Sequence, residues 1–280
     1  MRLHLHKYHG AGNDFLLCDA RESSVALSEA QVRFLCDRHT GIGADGFMLL
    51  EMSDAAAFRM RFFNPDGSGG MMCGNGGRCI AAFALRQGIP APGGRLDFEA
   101  PDGPHTAFFP AGTEPVDGTL QVRLGMKDVS GMPWIDAENA VFLDTGTRHL
   151  VVPVEGLDTY PVASEGARLR ADARFAPQGT NVDFIEPDDA GGLRIRTFEK
   201  GVEGETLACG TGIVAAAIVA WRRSMAGRQE EDGRVRVPVR AAIAQLEVTF
   251  SSWGLSATDV FLTGPATEVC TLDILLPENL

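Results

Sequence analysis

The chain has 280 residues, enough for one large domain or two of about 140 residues each, and its 45% hydrophobic content is ample for a packed core. A net charge of −12 argues against nucleic acid and against an anionic membrane surface as partners. The longest apolar run, Ile213 to Trp221, is far short of a membrane span, and the opening MRLHLHKYHG lacks the apolar stretch of a signal peptide. A cytoplasmic location is therefore expected. There the six cysteines would be reduced rather than form a disulfide scaffold.

In chain order, residues 3–8 and 13–19 read as short strands around the turn Gly10-Ala11-Gly12. Ser28 to His39 reads as an amphipathic helix. Ser28 and Gln31 have capping-box spacing, and Val32, Leu35, Cys36 and His39 share a face. Phe47 to Glu51 and Phe58 to Phe63 read as strands, followed by the turn Asn64-Pro65-Asp66-Gly67. Gly76 to Arg86 is apolar on nearly every face, so it reads as a buried helix, closed by Gly88 and Pro90. Pro110 to Gly118 is the best linker candidate.

The second half repeats the plan. Strands are expected at 120–125, 140–144 and 149–154, followed by the segment Thr180 to Glu186, a strand at 193–198, and a second buried helix from about Gly212 to Arg222. Residues 223–234 are charged and read as an exposed loop, and 259–276 has strand character that could return to the first half. The expected domains are 1–117, completed by 264–280, and 118–263.

Two short stretches echo each other: Met-Cys-Gly-Asn-Gly-Gly at 72–77 and Ala-Cys-Gly-Thr-Gly at 208–212. Each sets one cysteine before a glycine turn that opens an alanine-rich helix. Cys73 and Cys209 are 136 positions apart, about half the chain, which suggests a duplicated domain with one thiol per half. The first N–H groups of a helix lack internal partners and carry partial positive charge, so a glycine-rich start can cradle an anion. The same dipole lowers a thiol pKa. Two thiols across a cleft suit one chemistry: one thiolate removes a proton from a carbon while a neutral thiol delivers another to the opposite face. Cys18, Cys36, Cys79 and Cys270 sit in apolar patterns and read as core.

The stretches KYHGAGNDF, RHTGIGADG, FNPDGSGGMMCGNGGRC, GTNVDF and FEKGVEGETLACGTG, in this order, resemble diaminopimelate epimerase. The resemblance implies an α+β fold of two pseudo-symmetric domains, each a mixed β-barrel-like sheet around a central buried helix. It implies a homodimer that interconverts LL- and meso-diaminopimelate without pyridoxal or any other cofactor, in lysine and peptidoglycan precursor synthesis. Cys73 and Cys209 match the acid–base pair. Gly74, Asn75, Gly210 and Thr211 match the cradle for the α-carboxylate. Asn13, Asn64 and Asn181 match polar contacts to substrate, and His149 and Glu199 match groups that tune the thiols. Glu199 and Lys200 also match positions near the substrate.

Four positions depart from the usual pattern: Gly46 where glutamine is common, Thr147 and Arg148 within Gly146-Thr147-Arg148-His149 where Gly-Asn-Pro-His is common, and Lys200 where arginine is common. Lys200 keeps the charge but cannot grip a carboxylate in bidentate fashion. These positions resemble those that hold the far end of the substrate. A racemase of proline, hydroxyproline or histidine type therefore remains an alternative. A thiol–disulfide protein is a rival of another class, although such proteins use closely spaced cysteines. A non-catalytic binding module is a third.

Other motifs carry less. Gly41 to Gly46 matches G-x-G-x-x-G, but with a helix expected before it and a strand after it, the reverse of a dinucleotide site. His4 and His6 would share a strand face with no third ligand nearby, so no metal is expected. None of the three lysines, Lys7, Lys127 and Lys200, has a Schiff-base context.

Overall fold

Alternation sets the first strand. In β1 (Arg2–Gly10), Leu3 and Leu5 face one side, while His6 and Tyr8 pack on Phe83 on the other. A computed structural model describes residues 1–22, 25–110, 115–131 and 139–277, and it divides the chain into two compact units. The first holds Met1–Leu124 and Pro265–Leu280, and the second holds Gly125–Gly264. The first unit thus runs past the Pro110–Gly118 stretch, of which residues 111–114 lie outside the described residues.

The first unit continues with β2 (Asn13–Asp19), α1 (Glu29–Cys36), β3 (Gly46–Glu51), β4 (Phe58–Phe63), α2 (Gly74–Arg86), β5 (Arg95–Ala100), β6 (Gly103–Phe108) and β7 (Thr119–Gly125). The second contains β8 (Val141–Asp144), β9 (Arg148–Pro153), α3 (Val162–Arg170), β10 (Asn181–Pro187), β11 (Leu193–Glu199), β12 (Gly204–Thr206), α4 (Gly210–Arg222), β13 (Arg228–Gln229), β14 (Val235–Arg240) and β15 (Gln245–Trp253). The long last strand, β16 (Ser256–Leu275), begins in the second unit and ends in the first.

In the first unit the sheet closes on itself. Strands β1 to β7 follow one another, β7 pairs β16, and β16 pairs β1. Pairs β2–β3 and β4–β5 are parallel. Helix α2 is buried from Gly74 to Ala84, which is why, apart from Asn75 and Arg78, its sequence there is apolar or glycine. Helix α1 covers Leu3, Leu5, Leu16 and Phe47 with Val32, Leu35 and Cys36.

In the second unit the order is β16-β15-β14-β11-β10-β9-β8, with β11–β14 and β9–β10 parallel. Helix α4 is buried from Ile213 to Ala220. Val162 and Leu169 of α3 pack on Leu150, Val152, Val182, Phe184 and Phe198. Among the described residues no helix is long and apolar enough to cross a membrane.

Two expectations need correction. Helix α1 stops at Cys36, so His39 is not on its face and is exposed. Asp37 causes the stop: its backbone is extended, and its carboxylate accepts the N–H groups of His39 and Thr40. Cys270 is exposed on β16 rather than in the core.

Candidate active site

Each echoed cysteine is the N-cap of a buried helix: Cys73 opens α2 and Cys209 opens α4. Both cysteines are half-buried residues.

In the first unit, the Gly76 N–H donates to Cys73 Sγ at 3.3 Å. Asn13 Oδ1 accepts from the Cys73 thiol at 4.0 Å and from the Asn75 side-chain amide at 3.4 Å. Its orientation is fixed from behind, because Asn13 Nδ2 donates to Asp45 at 2.7 Å. Asp45 shares Arg38 with Asp14, and Asp14 also takes Lys7. Burial works against the Asp14 charge, but bonds from Arg38 and Lys7 hold its carboxyl below the usual range. Asn13, Cys73, Gly74 and Asn75 are thus brought together. Asn64 is bonded instead to Ser68 Oγ and Gly69 O of its own turn.

In the second unit, strand alternation builds the site. Leu150 and Val152 on β9, and Val182 and Phe184 on β10, face α3. His149 and Asp183, which alternate with them, point the other way, toward Gly212 of α4, and Asn181 alternates in the same sense. A Cβ on Gly212 would lie 2.4 Å from Asp183 Oδ1 and 3.2 Å from His149 Cε1, so only glycine fits there.

His149 Nδ1 lies 2.7 Å from Asp183 Oδ2, and Thr197 donates to the other carboxylate oxygen at 2.7 Å. A carboxylate only accepts, so a ring proton sits on Nδ1, and with one ring proton Nε2 is left to accept. The Thr147 and Thr211 hydroxyls lie 2.9 and 3.0 Å from Nε2. Thr211 Oγ1 is in turn 3.5 Å from Cys209 Sγ. A continuous donor–acceptor chain therefore links Cys209, Thr211, His149 and Asp183. Burial, then the carboxylates of Glu199 and Asp183, push the Cys209 thiol well above its ordinary value, against the Thr211 hydroxyl and the Gly212 N–H.

The remaining expected residues cluster nearby in the same unit. The Lys200 N–H donates to Asn181 Oδ1 at 2.8 Å, Asn181 Nδ2 donates to the Arg148 carbonyl, and Thr206 donates to Glu199. The departures acquire causes. At Gly46 a Cβ would meet the Phe62 ring at 2.8 Å, so a larger side chain has no room. Thr147 is bonded to His149 and Thr211, and Arg148 is held by the Phe175 carbonyl and Gln178. Sequence reasoning missed Asp183, Thr197 and Asp45. The first had a signal: it is the charged residue of the otherwise apolar run Val182 to Ile185, and alternation sets it on the face of Asn181.

The chain shares its fold with a Bacillus anthracis phenazine biosynthesis protein of the PhzF family, at TM-score 0.73 and 16% identity over 99% of this chain and 100% of that one. It also shares it with a hydroxyproline epimerase from Agrobacterium vitis solved with bound trans-4-hydroxy-L-proline, at TM-score 0.69 and 17% identity over 99% and 94%. The class is thus the two-unit α+β fold of these proteins. Within that class, the family described as diaminopimelate epimerase matches residues 5–107 and 141–267. Diaminopimelate epimerase of Chlorobaculum tepidum is 43% identical over 263 residues, 93% of this chain and 96% of that protein. That of Flavobacterium psychrophilum is 37% identical over 94% and 96%. The chain belongs to the diaminopimelate epimerase family, a family of isomerases.

Proposed function

We propose that the protein interconverts LL- and meso-diaminopimelate by a two-base mechanism without a cofactor, as a cytoplasmic homodimer acting on the free amino acid. The observation that carries this is the pairing of like elements: one thiol caps each of two buried, glycine-started helices. One thiolate takes the α-proton, and the other thiol supplies a proton to the opposite face of the carbon. The helix starts at Gly74–Asn75 and Gly210–Thr211 hold the α-carboxylate through N–H groups and helix dipoles. His149, braced by Asp183, takes or returns the Cys209 proton through the Thr211 hydroxyl, and the Glu199 carboxylate keeps that thiol neutral until it does. Asn13, Asn64, Asn181, Glu199 and Lys200 contact the substrate, with Lys200 serving its distal carboxylate.

The test is incubation with LL-diaminopimelate in deuterated water. The expected product is the meso form carrying deuterium at one α-carbon. Turnover of proline or hydroxyproline with none of diaminopimelate would transfer the reading to another amino acid.

A further inference from the structure

Arg78 sits in the second turn of α2 with no exposed surface. Its guanidinium donates to the Gly74 carbonyl at 3.0 Å, to Asn75 Oδ1 at 3.0 Å and to the Pro265 carbonyl at 3.3 Å. Among the described residues no carboxylate is bonded to it, and a buried cation remote from any anion is costly. The bond to Asn75 opens a longer chain that ends on one. Asn75 Nδ2 donates to Asn13 Oδ1 at 3.4 Å, and Asn13 Nδ2 donates to Asp45 Oδ2 at 2.7 Å. The other oxygen of Asp45 accepts from Arg38 at 2.7 Å. Two amides thus connect a buried cation on α2 to a half-exposed carboxylate just before β3.

The two ends of an asparagine amide have nearly the same shape, so shape alone does not orient it. The charges at the ends of this chain do. An arginine only donates and a carboxylate only accepts. Turning Asn75 over would set its NH2 against the guanidinium and its oxygen against Asn13 Oδ1. Turning Asn13 over would set its oxygen against Asp45 and its NH2 against that of Asn75. Each flip meets like with like on both sides, and bonds aligned in one chain strengthen one another. Asp45 is itself fixed by β2: its N–H donates to the Asp14 carbonyl at 2.8 Å, and Oδ2 also accepts from the Asp14 N–H at 3.3 Å.

The consequence falls on Cys73, because Asn13 Oδ1 is the atom that accepts from its thiol at 4.0 Å. An oxygen there keeps the proton on sulfur, whereas an NH2 there would donate to a thiolate. The oxygen opposes the helix start, whose N–H groups favour the thiolate. Asn181 in the second unit is also held at both ends, but by the Lys200 N–H and the Arg148 carbonyl, both backbone groups. We propose that Arg78 and Asp45 are positioning residues, which act through Asn75 and Asn13 to turn the Asn13 carbonyl oxygen, rather than its NH2, toward Cys73. The bearing on turnover rests on the proposed two-base function. The orientation itself can be read without substrate.

The experiment is NMR of the asparagine side-chain amides in the substrate-free, full-length protein, joined to a kinetic double-mutant cycle. Asn13→Ala and Asn75→Ala assign the two signal pairs. In Asp45→Asn, Arg38 claims the one oxygen left and an NH2 faces Asn13. The Asn13 pair should shift and exchange with water about tenfold faster, and the Asn75 pair should follow because the chain is continuous. Signals of both residues unmoved in Asp45→Asn overturn the proposal. Arg78→Met should disturb the same two pairs, beginning with Asn75, and a folded Arg78→Met protein with both unmoved overturns it as well. Should that variant not fold, Asp45→Asn decides alone, through whether Asn75 responds. In turnover, Asp45→Asn should lower kcat about tenfold, and should cost nothing further in an Asn13→Ala background. Additive losses would show that Asp45 acts on the fold and not through Asn13, and would sink the proposal. Shifted signals in a protein that does not turn over diaminopimelate would instead strike the two-base reading and leave the orientation standing.

Discussion

His149 and Asp183 form a pair with no exposed surface on either side chain, Nδ1 to Oδ2 2.7 Å. The pair turns Nε2 toward the hydroxyls of Thr147 and Thr211, and so toward Cys209. Asp183→Asn removes the charge while nearly preserving the shape. A hydrogen bond to a charged group contributes about 1.5–3 kcal/mol, so kcat should fall about 10- to 150-fold. KM should stay within about twofold, because Asp183 has no place in the proposed substrate contacts. Steady-state kinetics decide this, and an unchanged kcat removes the relay from the mechanism.

Cys73→Ala and Cys209→Ala should each abolish epimerisation while the circular dichroism spectrum stays native. In the two-base reading each face of the carbon has one acid or base, so neither thiol can cover for the other. Near-normal turnover in either variant would disprove the two-base reading.

Gly212→Ala tests the packing beneath the relay. The new Cβ would fall 2.4 Å from Asp183 Oδ1. Overpacking of this kind costs about 1–3 kcal/mol, or a Tm lower by about 3–10 °C in a chain this size. Gly204→Ala is the control, since nothing lies within 4 Å of its added Cβ. Calorimetry should show the first change and not the second.

Much of this was legible in the sequence because it is periodic or punctuated. The cysteine–glycine starts of α2 and α4, the capping box at Ser28 and the strands around Gly10-Ala11-Gly12 all lie where local pattern sets them. Helix α3 was not legible. Gly166 interrupts it, its N-cap Pro161 makes no side-chain bond, and it exists because Val162 and Leu169 find a sheet face to cover. Strands β5, β6, β14 and β15 were missed for a related reason: Pro104 and Pro238 sit inside two of them. Asp183 and Thr197 escaped because their partners are 34 and 14 residues away, and only the β9–β10–β11 register brings them together.

Alkaline pH should weaken the fold. Burial pushes the Cys18 thiol up to about 11 and that of Cys36 up to about 12, and raises Cys79 as well. Their stabilising contribution is fully present below the unfolded thiol value of about 8.5 and is lost as pH rises toward the folded values. In that window the unfolded chain has released protons that the folded one still holds, so stability falls with a slope of up to about 1.4 kcal/mol per pH unit per thiol. The Tm should therefore be flat below pH 8 and decline above pH 9, with reductant present throughout. A Cys18→Ala, Cys36→Ala double variant should show a shallower decline. A Tm that stays level to pH 10 contradicts the assignment.

The last prediction concerns substrate choice. A carboxylate cradled by helix starts is common to any amino acid, so it cannot select one. Selection must come from groups that reach the far end. Lys200 is exposed, its backbone is pinned to Asn181 Oδ1 at 2.8 Å, and its ammonium rests on the Gln178 carbonyl at 3.3 Å. That leaves two of its three donors for an incoming anion. Arg148, another cation of this region, is already held by the Phe175 carbonyl and Gln178 and stands over the Phe142 ring. Lys200→Met should therefore raise KM for diaminopimelate by about 10- to 150-fold, the worth of a charge-assisted hydrogen bond of about 1.5–3 kcal/mol. Amino acids without a distal carboxylate should be affected far less. If KM for diaminopimelate is unchanged, Lys200 does not meet the distal carboxylate. Arg148→Met, measured the same way, then shows whether Arg148 leaves Gln178 to take that role.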